Sequence, residues 1–217
     1  MEPGTIVLGL ALLGLVVVGA RHLWAVLRGS DEPPKGSGDS DLGGLLERSR
    51  SPGSRKLTGM FYTPRPIVDL IVDKSLKPWL ENVERTEKEV GAIDAMRMWK
   101  DLKLIDPACG SGRFLVAACE VLRGSYSEFH NRNPSSAVSP SEYDSILLSS
   151  VIHGIDIDKD AVEVCRLELR NLLGHGTETP DQILVGDALT GEVRSGSANE
   201  AADLADLEGW PSGVNYD

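Results

Sequence analysis

Several things are scarce in this sequence, and each scarcity excludes something. There are three cysteines, Cys109, Cys119 and Cys165, too few and too scattered for a disulfide framework. No two of them have CxxC spacing and the four histidines stand far apart, which argues against a zinc site, and no metal is expected. Without disulfides, the reducing cytoplasm is the default compartment. Aromatic residues make up 5%, which argues against a platform of several rings for stacking bases. Positive charge is short as well: 22 Lys+Arg face 33 Asp+Glu, a net charge of -11. A domain whose whole surface tracks nucleic acid is usually basic, so only a small basic groove remains compatible. The 41% hydrophobic and 25% charged fractions over 217 residues fit one globular domain with an appendage.

The chain reads as four stretches. Thr5 to Ala20 carries no charge. As a helix this run spans about 24 Å against a hydrocarbon core of roughly 30 Å, and extending it through Leu27 supplies the rest with Arg21 and His22 inside. Residues 1–28 are therefore expected to form an apolar helix, read as a single membrane anchor making contact through residues 5–27, with a buried core helix or residues upstream of the true start as the alternatives. Arg21 and Arg28 on its C-terminal side would tether a cytoplasmic domain by the positive-inside rule. Residues 29–56 are rich in Gly, Ser, Pro and charge and read as a disordered linker. Residues 57–191 alternate strand and helix patterns, and 192–217 read as an acidic, solvated loop.

Within 57–191, Thr63 is placed to cap a helix with Pro64 and Pro66 in its first turn and an apolar stripe of Ile67, Val68, Leu70, Ile71 and Leu76. Trp79 to Lys100 reads as one charged helix, or two broken near Gly91. Leu102 to Ile105 is a short buried strand ending at Asp106-Pro107, followed by the turn Gly110-Ser111-Gly112 and a helix over Phe114 to Leu122. A polar loop follows, and Ser139 with Glu142 has capping-box spacing. Val151 to Ile155 is a second strand ending at Asp156, Asp158 caps the next helix, and Gln182 to Val185 is a third strand ending at Gly186-Asp187. Strand, helix, strand, helix, strand predicts an α/β fold with parallel pairing. His153 reads as a strand residue with a satisfied ring, and the cysteines as small buried apolar residues.

Ligands bind at the carboxyl ends of the strands in open parallel sheets. The strand, glycine turn and helix at LIDPACGSGRFL bring backbone N–H groups and a helix N-terminus towards that edge. Leu115 stands where a dinucleotide fingerprint would want its third glycine. Asp156 is placed to accept from ribose hydroxyls. Asp106, ahead of the glycines, would repel a pyrophosphate and tolerate a cation. The pattern favours a nucleoside carrying a positive sulfonium over a dinucleotide.

The strings Phe61-Tyr62-Thr63-Pro64, Asp106-Pro107-Ala108-Cys109-Gly110-Ser111-Gly112-Arg113-Phe114-Leu115, Gly154-Ile155-Asp156-Ile157-Asp158 and Gly186-Asp187-Ala188-Leu189 resemble the adenine-specific DNA methyltransferases. The likeness is closest to the subclass found in fused type II restriction–modification enzymes and related large methylases, and it covers Leu57 to about Leu189. It implies a Rossmann-like methyltransferase fold, of which three strands are identifiable, with S-adenosyl-L-methionine as cofactor and DNA as partner. It further implies that Phe61, Tyr62, Thr63 and Pro64 pack over the methionine end of the cofactor. Asp106, Ala108, Gly110 and Gly112 hold its methionine moiety, Asp156 its ribose and Ile157 its adenine ring, and Asp187 accepts from its exocyclic amine. The family's Asn-Pro-Pro-aromatic motif, which holds the target amine and the flipped base, does not occur in the sequence. The chain is thus expected to be a cofactor-binding part that stops before its catalytic loop and is inactive alone, with DNA contacts in regions beyond it. Two alternatives stay open: a methyltransferase acting on rRNA adenine or a protein glutamine amide, and a catalytically silent binding remnant.

Overall fold

The computed structural model describes residues 5–7, 63–173, 180–195 and 200–203. The anticipated linker and most of the apolar N-terminal run lie outside these residues, as do Phe61 and Tyr62.

The longest helix, α1 (Arg65–Glu89), begins after Pro64, whose carbonyl accepts from the Ile67 and Val68 amides at 2.9 and 3.2 Å. Pro64 rather than Thr63 is the N-cap, and no side chain caps the end. Pro66 lies in the first turn, where its missing N–H costs nothing. The buried stripe is Val68, Val72, Leu76, Trp79 and Val83, at helical spacing. Leu70, anticipated on that stripe, is 52% exposed. The stripe carries the helix straight through Pro78, so Trp79 onwards is a continuation rather than a new element. The break falls at Gly91, with φ of 133°, before α2 (Ala92–Asp101).

Next come β2 (Lys103–Asp106), α3 (Arg113–Arg132), α4 (Pro140–Ile146), a π-helical turn (Leu147–Val151), β3 (Ile152–Asp156), α5 (Lys159–Leu173) and β4 (Ile183–Gly186). α3 runs ten residues past the apolar run that marks it in the sequence, because Leu122, Tyr126 and Phe129 keep its face buried. Ser139 caps α4 as its spacing predicts, its hydroxyl accepting from the Glu142 amide at 3.2 Å. Asp158 caps α5 through the Asp160 and Ala161 amides.

β2, β3 and β4 pair in parallel, Asp106 opposite Gly154 and Asp156 opposite Val185. Two findings depart from expectation. β1 (Thr5–Val7), at the start of the uncharged run, pairs in parallel with β2 instead of opening a membrane helix. All three of its residues, Thr5, Ile6 and Val7, are β-branched and favour extended backbone. Among the described residues, no helix is long and apolar enough to cross a membrane. The stretch from Glu192 also contains more than a loop: β5 (Glu192–Ser195) pairs antiparallel with β4, and β6 (Glu200–Asp203) with β5. Strand order in this six-stranded sheet follows chain order.

Trp99 of α2 is the hub of an aromatic cluster. It meets Trp79, Tyr126 and Tyr143 edge-on at 5.0, 5.3 and 5.5 Å between ring centres, while Tyr126 and Tyr143 stack at 3.8 Å. The cluster ties α1, α2, α3 and α4 together. Its rings are spent on packing, in line with the scarcity of aromatics in the sequence.

Candidate functional site

Three parallel strands end side by side at Asp106, Asp156 and the Asp187 that follows β4. Between the first two lies the turn 107–112. Gly110 and Gly112 both have positive φ, 51° and 86°, which an L side chain adopts only under strain. A Cβ on Gly112 would come within 2.5 Å of the Cys165 Sγ in α5, so only glycine lets α5 pack beneath the turn. At Gly110 a Cβ would meet nothing within 4 Å, which leaves the outer side of the turn open to a ligand.

The turn is fastened to β3. The Cys109 amide donates to the Ile155 carbonyl at 3.1 Å, and the Gly110 amide to Asp156 Oδ2 at 2.8 Å. The other oxygen of Asp156 accepts from the Asp158 amide at 2.9 Å. Within the turn, the Gly112 amide donates to the Cys109 carbonyl at 2.8 Å and the Ala108 amide to Asp106 Oδ1 at 3.1 Å. The amides of Ala108, Cys109, Gly110 and Gly112 are therefore engaged inside the protein. Sequence reasoning has them facing a ligand. With these four amides engaged, the side-chain chemistry offered at the turn is carboxylate.

Asp106 is 2% exposed, and its Oδ2 has no partner among the described residues. Burial pushes its carboxyl up to about 7, opposed by the Ala108 amide and reinforced by the charge of Asp156. Burial also raises Asp156, while the amides of Asp158 and Gly110 pull it back. The Cys109 thiol is hydrogen-bonded to Cys165 and buried, and both effects hold it neutral. These cysteines, with Cys119, are buried and free, as small apolar residues are.

Of the remaining anticipated residues, Ile157 is 60% exposed just past Asp156. Asp187 folds its own turn, its Oδ1 accepting from the Leu189 amide at 2.9 Å. Ala108 is exposed on the outer side of the glycine turn. Thr63 and Pro64 precede α1, half-buried and exposed respectively. His153 is fully buried in β3, with Nδ1 3.1 Å from the Val151 carbonyl. Among the described residues no cluster of His, Cys, Asp or Glu is fit to hold a metal.

Sequence reasoning gives no separate role to Leu189, misses Cys165 as a support of the turn, and does not foresee the bond between Asp156 and Gly110. Leu189 stands 84% exposed beside Asp187. Cys165 supports the turn from α5, and Asp156 fastens Gly110. No local signal marks the last two, because the partners lie 53 and 46 residues apart in the chain.

The family pattern of the N-6 DNA methylases matches residues 45–204. Adenine-specific methyltransferase PglX of Streptomyces coelicolor is 29% identical over 179 residues, covering 77% of this chain and 13% of the relative. Adenine-specific methyltransferase BrxX of Escherichia coli O9:H4 is 25% identical over 167 residues, covering 64% of this chain and again 13% of the relative. The chain thus spans about an eighth of the length of the curated relatives it matches. A match running from before α1 into β6 takes in the glycine turn and all three strand-end acids, and by it the chain belongs to the N-6 DNA methylase family.

Proposed function

We propose that residues 57–191 bind S-adenosyl-L-methionine and form the cofactor-binding part of a site-specific methyltransferase acting on N6 of adenine in DNA. The observation that carries this reading is the pair of acids Asp106 and Asp156 bonded to amides of one glycine turn, with Asp187 following the next parallel strand. Such a site disfavours phosphates and suits a nucleoside bearing positive charge. The unpartnered Oδ2 of Asp106 and the open space over Gly110 fit the cationic methionine end. Asp156 keeps lone pairs for the ribose hydroxyls after accepting from two amides. Ile157 offers an apolar surface for the adenine ring and Asp187 an acceptor for its amine. Phe61, Tyr62, Thr63 and Pro64 are assigned to the methionine end by the resemblance, together with Ala108, Gly110 and Gly112.

The cofactor supplies an electrophilic methyl group on a sulfonium, and these residues bind and orient it. DNA adenine is preferred to rRNA adenine or a glutamine amide because both relatives carry adenine-specific names and the matched family is one of DNA methylases. No Asn-Pro-Pro-aromatic string occurs in the 217 residues, so the chain alone is assigned binding without transfer to DNA.

Calorimetry tests the reading. The chain should bind S-adenosylmethionine, with NAD and ATP giving no heat. Asp156→Ala should weaken binding by about 1.5–3 kcal/mol, as the loss of a hydrogen bond to a charged group does. An analogue lacking the ribose hydroxyls should bind wild type and variant alike. Equal affinity of both proteins for the full cofactor would remove the ribose assignment.

A further inference from the structure

We infer that the site admits its cationic ligand by expelling a proton from Asp106, exchanging one positive charge for another. The inference rests on the cofactor reading above and adds a pH dependence to it.

The two neighbouring carboxyls are differently provided for. Asp156 accepts one amide on each oxygen, from Gly110 and Asp158. Asp106 is buried more deeply, accepts from the Ala108 amide on Oδ1 alone, and leaves Oδ2 unpartnered. Asp106 pairs with Gly154 across the strands, which sets Asp156 only two residues further along β3. Two like charges so placed do not both ionise readily, and the proton stays with the carboxyl that has fewer donors. The other groups around Asp106 do not change this. Cys109 in the turn is neutral and hydrogen-bonded to Cys165 of α5, and the one acid whose charge reaches Asp106 is Asp156. Arg113 and Lys159 open α3 and α5, the basic side chains at the starts of those helices.

An ammonium or sulfonium facing Oδ2 favours the carboxylate, so the protonated acid and the cation give an ion pair and one proton released to solvent. The sign follows from the carboxyl lying near 7 in the free protein. Above that pH the proton is already gone and affinity is flat. Below it, each pH unit weakens binding, giving about a tenfold loss between pH 8 and pH 6.

The test is calorimetric titration of the 217-residue chain with S-adenosylmethionine at pH 6, 7 and 8, in buffers of low and high ionisation enthalpy. The expected result is nearly one proton released per ligand at pH 6, little at pH 8, and roughly tenfold weaker binding at the lower pH. Asp106→Asn should release none, and its affinity should change less than twofold over the range. Carboxyl-carbon NMR of the wild type checks the same point without a variant. The Asp106 signal should titrate near neutrality in the free protein and stay ionised in the complex. Binding without proton release, or a free-state midpoint near 4, overturns the exchange and leaves the cofactor reading intact. No binding at any pH overturns both.

Discussion

The aromatic cluster and the turn after β2 are both buried, and both hold polar atoms without partners among the described residues, yet the consequences differ. Around Trp99 the unpartnered groups are its own Nε1 and the Tyr143 hydroxyl, neutral donors among rings. Leaving such a group unpaired costs about 1–3 kcal/mol, which the area of the surrounding side chains offsets. At the turn the unpartnered atom is a carboxylate oxygen, for which desolvation is far more costly, and the group answers by keeping its proton. The same omission is inert in one region and chemically responsive in the other. Charge, rather than burial, separates a packing site from a binding site here.

The largest effect that could break this comparison is expected from Trp99→Ala. Removing the hub should cost about 3–5 kcal/mol in urea unfolding. The folded fraction should still bind S-adenosylmethionine within twofold of wild type, and a larger loss would mean that the two regions are coupled. Gly112→Ala should cost about 2–4 kcal/mol, combining backbone strain with the contact to Cys165. Adding Cys165→Ala should recover part of that cost, because it removes the closest atom while the positive φ remains. No recovery in thermal melting would place the strain wholly in the backbone. The smallest effects belong to the caps: Ser139→Ala beside the cluster and Asp158→Ala beside the site should each cost about 1 kcal/mol. Neither should alter ligand affinity at fixed pH, and an affinity change in Asp158→Ala alone would make that residue more than a cap.

The strands and their terminal acids were legible because each is a short apolar run closed by an acid next to Pro, Gly or Ile. β2, β3 and β4 fall within one residue of their expected bounds. Helix lengths were less legible. Gly124, Ser125 and Ser127 read as loop, but Tyr126 and Phe129 find rings from α2 and α4 to pack against, and long-range burial outweighs local propensity. The helix start expected at Trp79 fails for the same reason, with Leu76, Trp79 and Val83 holding α1 to its course through Pro78. The hairpin of β5 and β6 was hidden by its acidity, since only Val193 along β5 points to burial. At the site, residue types could be read along the chain, but the fastening of Gly110 to Asp156 could not, because it depends on how β2 and β3 lie side by side.

The order of strands in the sheet has a consequence for how the molecule is made. Among the described residues, every strand from β2 to β6 lies beside the one synthesised before it. A chain emerging from the ribosome can therefore lay down each new strand on the growing edge, and none has to be threaded between two already in place. Domains fold from the N-terminal side during synthesis, and only the β1–β2 pairing, Thr5 opposite Lys103, has to close a long stretch of chain. The edge waiting for its next strand is exposed only for as long as translation takes to supply it, and from β2 to β4 the apolar strands are shielded in that interval by the α-helices that precede each of them.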